Sequence, residues 1–83
     1  MNPHAALART RKVFALLRAI DIIATDRDPE AVLRWLETLP EAAPAGEPSW
    51  AALCLVAGTR RPSEETREQV RAELRARGQR RAS

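Results

Sequence analysis

The side chains best suited to chemistry are the only cysteine and the only histidine, Cys54 and His4. A reactive cysteine needs an electropositive and partly open setting. Cys54 instead lies in the most apolar stretch of the chain, far in sequence from His4. One cysteine and one histidine also supply too few ligands for a Cys/His zinc site. We therefore expect Cys54 to be a small buried apolar residue.

A second group that could take part in chemistry is the loose cluster of Asp21, Asp26 and Asp28. A hard cation takes more oxygen ligands than this segment offers, and Asp28 is already explained as a helix cap. The three glycines of the chain lie too far apart to form a phosphate-binding loop. The sequence therefore predicts a protein that is not an enzyme and that holds no metal and no cofactor.

Binding chemistry is better represented, because thirteen of the fourteen basic residues are arginine. The planar fork of arginine suits phosphates and carboxylates. Arg67, Arg71 and Arg75 repeat every four residues on one helix face, and Arg60 and Arg61 precede that helix. These five arginines are candidate nucleic-acid contacts. The alternative is a solvated helix face that neighbouring glutamates partly neutralise.

Charge is distributed unevenly along the 83 residues, although the net charge is only +3. Residues 1–20 carry four basic residues and no acid, and residues 59–83 carry eight arginines and four glutamates. Residues 21–58 carry two arginines and seven acids. The basic ends favour an acidic protein or a nucleic acid as the partner.

The length suits one small domain, 1–83. A single cysteine cannot form an internal disulfide, so we expect a reducing cytoplasm. No apolar run approaches the ~20 residues that cross a bilayer, and we expect no transmembrane segment.

Apolar periodicity predicts an all-α bundle of four helices at about residues 4–24, 29–39, 50–57 and 64–77. The inward stripe of the first helix consists of Val13, Leu16, Leu17, Ile20 and Ile23, and we expect Leu7 and Phe14 to widen it. Ile22 lies on the opposite side near Arg11 and Arg18. These three residues are the candidate protein contacts.

Caps and turn residues predict the ends of the middle helices. Asp28 is a suitable N-cap for the second helix, and Ser49, or alternatively Glu47, for the third. Gly58 suits the left-handed position after the third helix. Residues 40–48 hold three prolines and a glycine, which predicts an extended surface loop.

The third helix consists entirely of apolar residues, Trp50–Ala57. We expect it to lie at the centre of the fold, covered on most sides. Trp35 and Trp50 could anchor a partner or stack on a base if they were exposed. Both follow the apolar periodicity, so core packing is favoured.

The last helix is predicted to start at Ser63 and to end at Gly78. Glu73 and Arg77 have the spacing of an ion pair within one helix. Residues 79–83 are expected to form a frayed basic tail.

Between Gly46 and Gly78 the chain resembles the later part of helix-turn-helix domains of bacterial repressors, of the LacI and Cro/repressor type. The resemblance rests on Gly46, Gly58 and the run Arg60–Val70 (RRPSEETREQV). In those families one glycine starts the turn before the recognition helix and a second glycine ends that helix. A Ser-x-Glu-Thr-Arg stretch then opens the next helix. The resemblance implies that Trp50–Ala57 is the recognition helix and that DNA is the partner.

Two functions follow as hypotheses. The first is a non-enzymatic protein-binding module that docks on a larger protein as an adaptor, regulator or inhibitor, with self-association through the first helix as a variant. The second is nucleic-acid binding through the arginines of the last helix and the basic first helix, with a degenerate helix-turn-helix as a variant.

Overall fold

The computed structural model describes residues 3–82, which form four helices and, in that range, no strand. The helices are α1 (Pro3–Ile23), α2 (Pro29–Glu37), α3 (Trp50–Ala57) and α4 (Glu64–Ala82). α1 and α4 form the central pair, with α3 packed on α1 and α2 packed on α4. The predicted all-α bundle is confirmed. None of these four helices is long and apolar enough to span a bilayer.

Local hydrogen bonds explain where α2 and α3 begin and end. The side chain of Asp28 accepts from the backbone N–H three residues ahead at 3.1 Å. Ser49 does the same at 3.0 Å, so Ser49 and not Glu47 is the N-cap of α3. Gly58 ends α3 with a φ of +71°, a conformation that glycine adopts without steric penalty. The predicted bounds of α3 are confirmed, and α2 ends two residues earlier than predicted.

α4 continues through Gly78, so the prediction that this glycine ends the helix was wrong. Gly78 keeps a negative φ and faces α2, where an added Cβ would lie 3.7 Å from the Cβ of Pro29. The helix continues although a glycine in a helix interior costs about 1 kcal/mol relative to alanine.

The segment predicted as a tail, residues 79–83, is the last turn of α4 as far as Ala82. Arg81 Nη1 donates to the carbonyl oxygen of Arg27 at 3.2 Å, which ties this turn to the segment before α2. Ser83 lies outside the described residues.

The core draws on all four helices. Its most deeply buried large side chains are Leu16, Ile20, Leu36, Leu53, Val70 and Leu74. Trp50 and Cys54 are buried as predicted, and Trp35 is partly buried against the same cluster.

Two predictions about burial were wrong. Leu7 and Phe14 are exposed and do not widen the inward stripe of α1. One side of α3 is also uncovered, with Leu55 84% and Val56 46% exposed. The physical reason is that α3 packs chiefly on α1 and meets α4 through Trp50 in its first turn, so the side that carries Leu55 and Val56 lies at the edge of the bundle.

Candidate protein-binding surface

Three exposed apolar side chains, Phe14, Ile22 and Val56, line one open groove beside α1 and α3. We call it the α1–α3 groove, and its volume is about 590 Å³. Phe14 is 60% and Ile22 65% exposed. Neighbouring large apolar groups left open to water are typical of a contact surface.

Helical spacing explains why these α1 side chains lie together on one side of the groove. Phe14, Arg18 and Ile22 follow each other at intervals of four residues and so share one face of the helix. The buried Leu16 and Ile20 define the opposite face. Arg18 and Ile22 were predicted as contacts from the sequence, whereas Phe14 was assigned to the core, although the same interval of four residues places it on the outer face. Val56 carried no comparable signal, because every residue of α3 is apolar.

The α1–α3 groove carries one cation that is not neutralised. Arg18 lines it, is exposed, and has no hydrogen-bond or ion-pair partner among residues 3–82. Asp21 and Arg77 also line it, and they bond each other at 3.2 Å. Arg77 was predicted to pair with Glu73 inside α4, but it binds Asp21 of α1 instead.

A second concave surface adjoins the groove. It has a volume of about 450 Å³ and is lined by Arg11, Lys12 and Arg60, which we call the basic patch. No acidic side chain of the described range lines it, and Ala15 lines both concavities. The apolar groove and the basic patch are therefore continuous along α1. Lys12 was counted in the basic first segment of the sequence but was not named as a candidate contact.

The arginines on the face of α4 are occupied within the molecule. Arg71 Nη1 lies 2.8 Å from Glu64 Oε1, and Arg75 Nη2 lies 3.1 Å from Glu68 Oε1. The hydrogen bond from Arg75 lowers the pKa of Glu68, and the hydrogen bond to Glu64 raises the pKa of Arg71. Much of the positive charge of this face is therefore compensated by its own glutamates.

Glu41, in the loop before α3, neutralises two further candidates. Its carboxylate accepts from Arg67 Nη1 and Nη2, the latter at 2.9 Å, and from Arg61 Nη1 at 3.2 Å. The bond from Arg67 is the main cause that lowers the pKa of Glu41. Of the five arginines proposed for nucleic acid, Arg60 alone has no carboxylate partner among the described residues.

The groups considered for catalysis are engaged elsewhere. Cys54 is buried. Asp26 Oδ1 accepts from the Asp28 N–H at 2.9 Å, Asp28 caps α2, and Asp21 binds Arg77. Within residues 3–82, no three His, Cys, Asp or Glu side chains are grouped so as to hold a metal ion.

Comparison with protein-family models, curated proteins and solved structures finds no match to this chain. The resemblance to helix-turn-helix domains therefore stays a prediction. Residues 40–48, which precede α3, are not helical. The side chains that α3 presents most fully to solvent, Leu55 and Val56, cannot hydrogen-bond to base edges. Residues 3–82 form a small all-α bundle with an apolar groove next to cations that have no carboxylate partner in that range.

Proposed function

We propose that this protein is a non-enzymatic binding module that docks on a larger protein through the α1–α3 groove, as an adaptor, regulator or inhibitor. The observation that supports this function is the common exposure of Phe14, Ile22 and Val56. Burying a fully exposed large apolar side chain contributes about 1.5–3 kcal/mol. Because these three are 46–65% exposed, covering each one contributes roughly half of that, and covering all three favours association. A cytoplasmic setting belongs to the proposal, because the single buried thiol needs no oxidising compartment.

The chemistry of the lining favours binding over catalysis. Asp21 and Arg77 are bonded to each other, and no cysteine or histidine lines the groove. Arg18 can attract an anion but cannot act as a base at neutral pH. A surface of this composition supplies contact area and charge without a proton-transfer group.

Nucleic-acid binding is the alternative, and it has less support. Four of its five candidate arginines, Arg61, Arg67, Arg71 and Arg75, already bond glutamates. A phosphate would have to displace those carboxylates before it could bind. A low-salt mobility shift with mixed duplex DNA tests this function, and binding should weaken steeply as salt rises. A shift with wild type that is lost in the Arg67→Glu/Arg71→Glu/Arg75→Glu variant would support nucleic-acid binding.

The proposed function is tested by co-precipitation from cells that express the tagged protein. Ile22→Asp places a charge in the groove, whereas Ala45→Asp adds the same charge on the exposed loop before α3. We expect wild type and Ala45→Asp to retain the same proteins and Ile22→Asp to lose them.

Both positions are exposed, so we expect both variants to fold. Circular dichroism checks this. If Ile22→Asp retained every protein that Ala45→Asp retains, the α1–α3 groove would not be the docking surface, and the proposal would be wrong.

A further inference from the structure

We infer that the occupant of the α1–α3 groove is an amphipathic helix of a different protein, which lays apolar side chains in the groove and acidic side chains on the basic patch. This inference rests on the proposed function and adds the chemistry of the partner.

The dimensions of the apolar surface favour a helix. Phe14 and Ile22 are eight residues apart on α1, which corresponds to about 12 Å at the helical rise per residue. Apolar residues at positions i, i+4 and i+7 of a partner helix span about 10.5 Å. A partner helix of two to three turns can therefore cover both side chains and contact Val56, which lines the same groove.

The charges favour an acidic partner. The basic patch holds Arg11, Lys12 and Arg60, with no acidic side chain of the described range among its lining residues. Arg18 adds another unpaired cation in the groove itself. Because Ala15 lines both concavities, carboxylates at the edge or end of one partner helix reach these cations while its apolar side stays in the groove. Such complementarity increases association rate and selects the partner.

The same charges disfavour a second copy of this chain. In a two-fold dimer each surface meets itself, so this face would bring Arg11, Arg18 and Arg60 of two molecules together. The acid that lines the groove, Asp21, is already bonded to Arg77. A two-fold contact through this surface therefore gathers unpaired cations without supplying carboxylates.

The probe for this inference is a pair of designed 18-residue helical peptides. Both carry leucine at i, i+4, i+7 and i+11. One has four glutamates flanking the leucines, and its twin has glutamine at the same four positions. Fluorescence anisotropy measures the dissociation constant of each peptide for the full chain at low and at physiological salt. We expect the glutamate peptide to bind at least about tenfold tighter, with a preference that shrinks as salt rises.

Two variants assign the preference to the residues. Arg11→Glu/Arg60→Glu should remove the preference for the glutamate peptide and leave the affinity for the glutamine peptide unchanged. Ile22→Asp should weaken both peptides. Arg34→Glu is the matched control, because Arg34 is exposed on α2, away from the groove and the basic patch. Circular dichroism of each variant establishes that it is folded.

The outcomes separate the inference from the proposed function. Equal affinity for the two peptides, or no binding of either, overturns the inference. The co-precipitation experiment then tests separately whether the α1–α3 groove docks a protein. Undiminished binding of both peptides to Ile22→Asp overturns the proposed function as well. A dimer in light scattering that Ile22→Asp dissociates identifies a second copy as the occupant. Tighter binding to phosphatidylserine vesicles than to the glutamate peptide identifies a membrane surface, and either result overturns the inference.

Discussion

The guanidinium carbon of Arg67 lies 4.5 Å from the ring centre of Trp50. The same guanidinium binds the carboxylate of Glu41 through two nitrogens. Glu41 lies in the loop of residues 40–48 that precedes α3. Where this loop meets α3, the Trp50 N–H donates to the carbonyl oxygen of Pro40 at 2.9 Å. One arginine of α4 thus connects the start of α3 to the proline-rich loop that precedes it.

Arg67→Ala should lower the free energy of unfolding by about 1–2 kcal/mol, because it removes the cation–π contact and the packing of the arginine stem on Trp50. Urea unfolding followed by tryptophan fluorescence measures the change. Arg34→Ala, on the exposed side of α2, serves as the control and should change little. A loss for Arg67→Ala no larger than that of the control would contradict the connecting role.

Stability should depend on acid pH through Glu41 and Glu68, whose pKa values are lowered in the folded protein by hydrogen bonds from Arg67 and Arg75. The folded state binds fewer protons than the unfolded state, so stability rises with pH in this window. The contribution is complete above the ordinary carboxyl pKa of 4.5 and is lost as pH falls through the lowered values.

Urea midpoints between pH 3 and pH 7 measure this dependence. The Glu41→Gln/Glu68→Gln variant removes both titrations and should show a shallower fall below pH 4.5 than wild type. Parallel curves for the two proteins would assign acid sensitivity to other carboxylates.

Leu53 and Leu55 are two residues apart on α3 but differ completely in burial, 0% against 84% exposed. Leu53→Ala should cost about 2–5 kcal/mol, because it opens a cavity among core side chains. Leu55→Ala makes the same chemical change at the surface and should stay within about 0.5 kcal/mol. Thermal or urea unfolding compares them, and similar losses for both would mean that α3 is covered on both sides.

Two glycines should respond oppositely to alanine. Gly78 has helical backbone angles, and an added Cβ meets Pro29 at 3.7 Å, an ordinary contact. Gly78→Ala should therefore stabilise the protein by about 0.4–1 kcal/mol. Gly58 has a φ of +71°, so Gly58→Ala should destabilise it by about 1–2 kcal/mol. Thermal unfolding distinguishes the signs, and a loss for Gly78→Ala would indicate that α2 cannot accommodate the methyl group.

Part of the candidate binding surface could be predicted from sequence. Ile22 and Arg18 were predicted to be exposed contacts for a partner, because their spacing places them opposite the buried stripe of α1. Phe14 was assigned to the core on its hydrophobicity, although its spacing of four residues from Arg18 places it on the outer face of α1. The packing of α3 on α1 brings Phe14 and Val56 together in one open groove.

Ion pairs between distant segments were beyond prediction for a related reason. Arg77 was expected to bind Glu73, four residues away, yet it binds Asp21, 56 residues earlier in the chain. Local spacing identifies only partners within one helix, whereas the long arginine side chain reaches whatever carboxylate the neighbouring helix presents.

The amino-acid sequence by itself determined the four helices, the caps at Asp28 and Ser49, and the end of α3 at Gly58, because each depends on hydrogen bonds and backbone angles within a few residues. Tertiary structure alone decided that α4 runs through Gly78, that Leu55 faces water while Leu53 is buried, and that Arg67 and Arg77 of α4 bind carboxylates of distant segments. Those outcomes depend on which helices lie side by side, and that arrangement is set by packing between residues far apart in the chain.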